Sequence, residues 1–179
     1  HVRSRRQRQM CIRDRERSGC FYFSEETSRT LFSNIKELNP GAGENCLQGP
    51  NQDNNWLIKG DNQGLVNQVS FSKMNKLLGG NKDDQFVFEG PFHISQGIDG
   101  GISGLSSVVG SHKGNTWMLT GDNQGTISPA EAQATTTLSH IANFIGGKGD
   151  DFFILEGAFH IDGRLDGGSA GASEILGCM

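Results

Sequence analysis

Two glycine–aspartate turns carry the residues of this chain that are best suited to binding chemistry. The segment GGNKDD covers residues 79–84, and GGKGDD covers residues 146–151. Glycine lets the backbone bend tightly, and Ca²⁺ prefers carbonyl and carboxylate oxygens as ligands. A second interpretation is that the aspartates only close turns by bonding their own backbone. The residues of the candidate calcium site are Gly147, Gly149, Asp150, Asp151, Asp83 and Asp84.

Glycine turns recur about every 20 residues, and aspartates accompany most of them. Such a spacing would stack one turn above the next along one edge of the molecule. Like charges one strand apart repel each other, so a column of acids would either turn toward solvent or bind cations. The aspartates predicted for this column are Asp61, Asp83, Asp84, Asp99, Asp122, Asp150, Asp151 and Asp166.

These turns belong to an internal repeat. NNWLIKGDNQG at 54–64 returns as NTWMLTGDNQG at 115–125. LLGGNKDDQFVFEGPFHI at 77–94 returns as FIGGKGDDFFILEGAFHI at 144–161. The predicted organisation is a leader (1–20) and a repeat domain (21–179) made of a degenerate repeat (21–53), a first repeat (54–114) and a second repeat (115–176).

Short apolar runs lie between the turns, and they are rich in aromatic and β-branched residues. This composition favours strands. A single coil of strand and turn cannot bury its apolar side alone, so repeats of this kind stack on one another. The sequence therefore predicts an all-β fold, a right-handed parallel β-helix (β-solenoid) with coils of about 20 residues. A β-sandwich also uses short strands, but it does not explain near-identical segments at a fixed offset.

The second repeat is longer than the first between its GDNQG and FIGG segments, and the added stretch includes SPAEAQA at 128–134. Ser128 is suited to cap a helix, Pro129 to its first position, and Glu131 to the third position after the cap. The sequence predicts a short helical loop here.

The segment GGKGDDFFI, residues 146–154, matches the GGxGxDxUx nonapeptide of RTX calcium-binding proteins. The ordered set W-x-x-x-G-D-N-Q-G, G-G-x-x-D-D-x-F and D-G-G occurs twice. It resembles the repeats of very large secreted bacterial surface proteins, in the filamentous haemagglutinin-like and adhesin class. The resemblance covers about residues 30–176. The full nonapeptide occurs once, because Lys82 stands at its fourth position in the first copy.

The resemblance implies a structural or adhesive segment without catalytic activity, secreted or on the bacterial cell surface. Its expected partners are adjacent repeats of the parent chain and a surface glycan or protein. One alternative is an RTX-like module that binds Ca²⁺ as its only cofactor.

A β-helical polysaccharide-degrading enzyme is the other alternative, since such folds also carry lyases and glycosidases. A catalytic site should occur once, whereas His93 and His160 recur in matching segments. His112 and His140 do not recur, but no acid lies near them in the sequence. No catalytic residue is therefore predicted. Tryptophan recurs as well, at 56 and 117, which favours a core position over a carbohydrate platform.

The charge is uneven along the chain. The segment 1–17 holds seven Arg and two acidic side chains, which leaves nine basic and eighteen acidic side chains in the remainder. An acidic body does not favour nucleic acid, whose phosphates need basic partners. The segment QMCIRDR, residues 9–15, resembles a translated sequencing-adaptor fragment, and we interpret residues 1–18 as an artefactual or disordered leader.

Cysteine spacing and hydropathy add two expectations. The four cysteines form no CxxC pair and show no metal-ligand spacing, so they indicate no disulfide framework. No apolar run reaches the roughly 18 residues that a membrane-spanning helix needs, so no membrane span is predicted.

Overall fold

The structure, a computed structural model, describes residues 19–22, 36–132 and 134–177. All regular secondary structure in these described residues is β-strand, which confirms the all-β prediction. The described part of the chain holds no helix that is long and apolar enough to cross a membrane. The predicted leader up to residue 18 lies outside the described residues.

The larger of the two sheets has nine strands among the described residues. In their order across the sheet they are β1 (Gly19–Tyr22), β3 (Asn45–Gln48), β7 (Lys76–Leu78), β9 (Ile98–Asp99), β13 (Thr136–Ser139), β12 (Gln124–Pro129), β11 (Asn115–Gly121), β15 (Asp151–Leu155) and β17 (Glu174–Gly177).

The smaller sheet has eight strands within the described residues. In their order across the sheet they are β16 (Arg164–Asp166), β14 (Asn143–Ile145), β10 (Ser107–Val109), β8 (Asp84–Phe88), β4 (Asn54–Gly60), β5 (Gln63–Val66), β6 (Val69–Phe71) and β2 (Glu37–Leu38).

Both sheets are mixed. Most neighbouring strands pair in parallel, as β4 does with β8 and β11 with β15. Two three-stranded meanders are antiparallel: β4–β5–β6 in the eight-stranded sheet and β11–β12–β13 in the nine-stranded sheet. The parallel β-helix prediction contained no such meanders. Each meander forms the beginning of one repeat.

The two repeats occupy the sheets in opposite ways. From β4 to β10 the chain places three strands in the eight-stranded sheet and then alternates between the sheets. From β11 to β17 it follows the same order with the two sheets exchanged. The exchange arises because each repeat crosses between the sheets an odd number of times.

The side chains alternate between buried and exposed along the strands, as in the seven residues of β4. Such alternation is the period of a strand with one buried face. The buried apolar residues of both sheets form one hydrophobic core. Trp56 and Trp117 are 1% and 0% exposed, which confirms the prediction that they are core residues.

The prediction of a helical loop at 128–134 is wrong for the residues that are described, 128–132 and 134. Strand β12 continues through Pro129, and the chain then turns. Ser128 lies opposite Thr116 on β11, and its Oγ is hydrogen-bonded to Oγ1 of Thr135 at 2.9 Å. The antiparallel ladder therefore uses the backbone groups that a helix would have needed, and residue 133 is not described.

Cys46 on β3 is buried and disulfide-bonded. Cysteine spacing did not predict this bond, because the spacing of cysteines along a chain does not report which of them meet in space.

Candidate functional site at the Gly–Asp corners

The two predicted turns form two corners of the fold. The first corner, residues 79–84, joins β7 to β8, and the second corner, residues 146–151, joins β14 to β15. Asp84 and Asp151 are the first residues of the strands that follow, and they are only 1% and 0% exposed. Buried carboxylates need several hydrogen bonds, so the partners of these two groups define the corners.

In the first corner both oxygens of the Asp84 carboxylate accept hydrogen bonds. The backbone N–H of Gly80 donates to Oδ2 at 2.8 Å and thereby closes the turn. The Nδ2 of Asn54 and the Nε1 of Trp56 both donate to Oδ1, at 2.6 and 3.2 Å. The carboxylate thus ties its own turn to the neighbouring strand β4.

The second corner repeats this arrangement. The N–H of Gly147 donates to Oδ2 of Asp151 at 3.0 Å. Asn115 Nδ2 and Trp117 Nε1 donate to Oδ1 at 2.7 and 3.1 Å. The two carboxylates therefore have the same three kinds of donor at nearly the same distances.

Strand register explains why these groups meet. Asn54 lies directly opposite Asp84 in the parallel β4–β8 pair, and Trp56 lies opposite Phe86. Residues two apart point to the same face of a strand, so the amide and the indole of β4 both reach the carboxylate. The rings of Trp56 and Phe86 stack at a centroid distance of 5.3 Å. The stacking holds the indole N–H in position to donate.

The first glycine of each GG pair is required by the carboxylate and by the neighbouring loop together. A Cβ on Gly79 would lie 2.4 Å from the carbonyl oxygen of Gly100 and 2.5 Å from Oδ2 of Asp84. One on Gly146 would lie 2.5 Å from the carbonyl oxygen of Gly167 and 2.6 Å from Oδ2 of Asp151. These distances are shorter than a nonbonded contact allows. Glycine at this position therefore permits the carboxylate to fold back over its own turn.

The preceding aspartates, Asp83 and Asp150, are exposed and bond to a different part of the chain. Oδ1 of Asp83 accepts the N–H of Leu105 at 2.8 Å. Oδ1 of Asp150 accepts the N–H of Ala172 at 2.7 Å. Each corner is thus joined to the next loop along the same edge of the sheets.

Burial raises the pKa of the Asp84 carboxyl above its ordinary value of 3.8, since desolvation penalises the charged form. The hydrogen bonds from Asn54, Gly80 and Trp56 lower this pKa, and the nearby Asp53 carboxylate raises it further. The position that corresponds to Asp53 in the second repeat is Gly114, so this acidic neighbour belongs to the first corner alone.

The six candidate calcium residues are not brought together. Strands β7 and β15 point in the same direction within the nine-stranded sheet. The first corner leaves the carboxyl end of β7, whereas the second corner enters the amino end of β15. Residues 83 and 84 therefore lie at one row of strand ends, and residues 147, 149, 150 and 151 lie at the row on the opposite side of the sheet.

The prediction of a single column of acids is wrong for the same reason. Asp99 and Asp122 lie at the row of strand ends that holds the first corner. Asp61 and Asp166 lie at the row that holds the second corner. Among the described residues, no group of three His, Cys, Asp or Glu side chains could hold a metal ion. Calcium binding stays a prediction.

The two asparagine donors of the corners were not identified as site residues from the sequence. A signal was present, because Asn54 and Asn115 stand two residues before the repeated tryptophans. Asn45 of the degenerate repeat behaves like Asn54, since the Nδ2 of each donates to the carbonyls of the residues four and two positions before it. The distances are 3.3 and 3.1 Å for Asn45 and 3.0 and 2.7 Å for Asn54.

One contact between the repeats was also missed. The Nδ1 of His140 lies 2.9 Å from Oδ1 of Asp99, although the two residues are 41 positions apart. Both residues are at the surface, and the pair joins the second repeat to the first. No local sequence pattern could have found it.

Comparison of the chain with protein-family models, with curated proteins and with solved structures gave no match.

Proposed function

We propose that this chain is a structural and adhesive repeat segment of a secreted or cell-surface bacterial protein, and that it does not catalyse a reaction. One observation carries the proposal: the polar groups that the motif repeats are bonded to one another in the same way in both copies. Polar groups that hydrogen-bond to one another in every repeat do not need a substrate to complete their hydrogen bonding.

We further propose that the fold is a β-solenoid in which each coil contributes one strand to each sheet, interrupted once per repeat by a meander. The parallel pairing of β8 with β10 and of β14 with β16 supports this interpretation, because it aligns Gln85 with Ser107 and Asn143 with Arg164. The separation along the chain within each of these aligned pairs is close to the predicted coil of about 20 residues. Right-handed winding is part of the proposal.

The conspicuous titratable groups favour architecture over catalysis. Both buried carboxylates have donors on both oxygens, and His93 and His160 use their backbone carbonyls to accept the N–H of Asn62 and Asn123. The backbones of these two histidines therefore have equivalent positions in the two repeats. A general acid or base, in contrast, must face a substrate.

Secretion is supported by the disulfide bond of Cys46. Disulfides form and persist in oxidising surroundings such as the extracellular space, and they are rare in the reducing cytosol. A structural segment outside the cell meets glycans and proteins, and the two corners expose Asn, Lys and Asp side chains for hydrogen bonding, at positions 81, 82, 83, 148 and 150.

Beads coated with the full chain test the adhesive half of the proposal. On a mucin-coated surface, which presents both glycans and protein, we expect more beads to be retained under flow than albumin-coated beads. Retention no greater than that of albumin would contradict adhesion.

Incubation of the chain with uronic-acid polymers tests the other half of the proposal, that the chain does not catalyse a reaction. We expect no new reducing ends and no unsaturated products. Product formation that disappears on substitution of Asp99 or His140 would identify an enzyme, because those two residues form the close His–Asp pair.

The calcium-binding alternative has its own test. A ligand at 100 times its dissociation constant stabilises the folded state by about 2.7 kcal/mol, which shifts the melting temperature of a domain of this size by several degrees. We expect calcium and a chelator to give the same melting temperature, since both oxygens of each buried carboxylate already accept N–H donors. A calcium-dependent increase that Asp150→Ala abolishes would favour the RTX-like module.

A further inference from the structure

Equivalent residues of the two repeats differ sharply in exposure at one end of the molecule. Val108 is 0% exposed on β10, whereas its counterpart Ile175 on β17 is 58% exposed. Val108 is covered because β10 pairs with β14, which places Phe144 beside it. Among the described residues, β17 is the last strand of the nine-stranded sheet and has a neighbour on one side only.

The same difference extends over the surface around β17. In the first repeat Phe92, Ile94 and Ile98 are 1%, 0% and 2% exposed. Their counterparts in the second repeat, Phe159, Ile161 and Leu165, are only partly buried. The second repeat therefore ends in the kind of apolar surface that, in the first repeat, is covered. We call this surface, formed by β16, β17, Phe159 and Ile161, the end face.

The segment that covers the first repeat shows what such a surface accepts. Residues 134–147 contain β13, which pairs in parallel with β9, and β14, which pairs in parallel with β10. Polar contacts fix the register: Asn143 Nδ2 donates to the carbonyl of Leu105 at 3.1 Å and to Oγ of Ser107 at 3.2 Å. Gly100 N–H donates to the carbonyl of Ser139 at 2.8 Å.

We propose that the end face is a docking site for a polypeptide segment of the same kind as residues 134–147, supplied by a neighbouring repeat. The first strand of the incoming segment pairs in parallel with β16, and its second strand pairs in parallel with β17. Because the repeats exchange sheets, the first strand enters the eight-stranded sheet and the second enters the nine-stranded sheet. This proposal rests on the stacking architecture of the proposed function.

The chemistry of the end face fits such an occupant better than a polar ligand. Ile175 lies on the core-facing side of β17, opposite the buried Phe153, and within the described residues no strand pairs with the outer backbone groups of β16 or β17. An added strand satisfies these groups through its backbone and covers the apolar side chains at the same time. Glu174 stands where the first repeat has Ser107, so an acceptor for the incoming Asn143-type side chain is retained.

A synthetic peptide with the sequence of residues 134–147 tests the proposal on the full chain. We expect saturable binding, with slower hydrogen exchange at the amides of β16 and β17. Ile175→Asp should weaken binding by at least about tenfold, because it places a charge where an isoleucine side chain is buried. Ile102→Asp is the matched control, since Ile102 is also an exposed isoleucine, 86% exposed, in the loop between β9 and β10, and it should leave binding unchanged.

Three outcomes would overturn the docking proposal. One is a folded chain that does not bind the peptide. Another is binding that Ile102→Asp weakens as much as Ile175→Asp does. A third is self-association of the chain that is abolished by Ile175→Asp but is not inhibited by excess peptide. The occupant of the end face would then be a second copy of the chain. Protected amides in β8 and β15 identify a folded chain, and bead retention on mucin reports the proposed function independently of peptide binding.

Discussion

The two tryptophans have neighbours of the same kind from different places in the chain. Trp56 stacks on Phe86 and meets the edge of Phe71 on β6, with ring centroids 5.3 and 6.1 Å away. Trp117 stacks on Phe153 and meets Phe144 on β14, at 5.4 and 6.2 Å. The stacked rings are equivalent in the two repeats, but the second rings are not.

The positions of phenylalanine and leucine are interchanged between the repeats. Phe71 corresponds to Leu138, and Leu77 corresponds to Phe144. Each repeat therefore has one Phe and one Leu at these two buried positions. The core therefore requires a constant summed volume of the two side chains, in agreement with the tolerance of cores for volume-conserving exchange. The buried carboxylate and its donors, in contrast, are the same residue types at each position of both repeats.

The largest expected loss of stability comes from truncation of the two tryptophans, whose stacking is shared by both repeats. Trp56→Ala and Trp117→Ala should each lower the free energy of unfolding by about 3–5 kcal/mol, the usual cost of truncating a buried tryptophan. Chemical denaturation of each variant measures the loss. A difference between the two variants of more than about 2 kcal/mol would show that the repeats are not energetically equivalent.

Removal of a buried carboxylate comes next. Asp84→Ala and Asp151→Ala should each cost about 1–3 kcal/mol, because amide and indole donors remain buried without their acceptor. Asp83→Ala is the matched control, since Asp83 is exposed and accepts one backbone N–H. Denaturation of the three variants makes the comparison, and equal losses for Asp83→Ala and Asp84→Ala would refute the structural role assigned to the buried group.

Exchange of Phe71 and Leu77 within the first repeat tests the interpretation that the core requires a constant summed volume. Phe71→Leu and Leu77→Phe should each destabilise the chain, and the double variant should recover about 0.5–1.5 kcal/mol relative to the sum of the single losses. The double variant places in the first repeat the residues that the second repeat has at these positions. Strictly additive losses in a double-mutant cycle would mean that the two positions are independent.

The smallest expected effect concerns Asp53, which has no counterpart in the second repeat. Because burial raises the pKa of Asp84, the folded state binds this proton more readily than the unfolded state. The resulting stabilisation is fully present below the ordinary pKa of 3.8 and is lost as pH rises through the folded-state pKa.

Asp53→Asn removes a neighbouring charge and should lower the pKa of Asp84. Carbon-detected NMR titration of the Asp84 carboxyl in both proteins gives the comparison, and the variant should titrate at lower pH. A midpoint that does not move would exclude a contribution from Asp53, and a wild-type midpoint at or below 3.8 would contradict the effect of burial.

Much of the local structure could be predicted from the sequence. Most apolar runs became strands, the GG pairs lie at corners between strands, and Trp56 and Trp117 are buried. The predicted strands at residues 92–94 and 159–161 are the exceptions, because these residues lie in the loops that follow β8 and β15. These features depend on side-chain type and on spacing over a few residues, which the sequence states directly. The predicted helix at 128–134 is a further exception, because pairing with β11 outweighed a local capping pattern.

The candidate site was predicted only in part. The aspartates of the corners were identified, but as ligands of a cation, and Asn54 and Asn115 were overlooked. Their roles follow from strand register, which places Asn54 opposite Asp84 from 30 positions away. Neither composition nor periodicity specifies which strand lies beside which.

The sequence by itself determined where this chain bends, which side chains avoid water, and that its segments recur. Only the tertiary structure decided that consecutive repeats exchange sheets, that Asp84 and Asp151 lie at opposite edges, and that Val108 is covered while Ile175 is not. The physical reason is that bends and burial follow from local sterics and hydrophobicity. Strand pairing, in contrast, joins backbone groups that are identical in every residue, so its pattern is selected by the packing of the whole core.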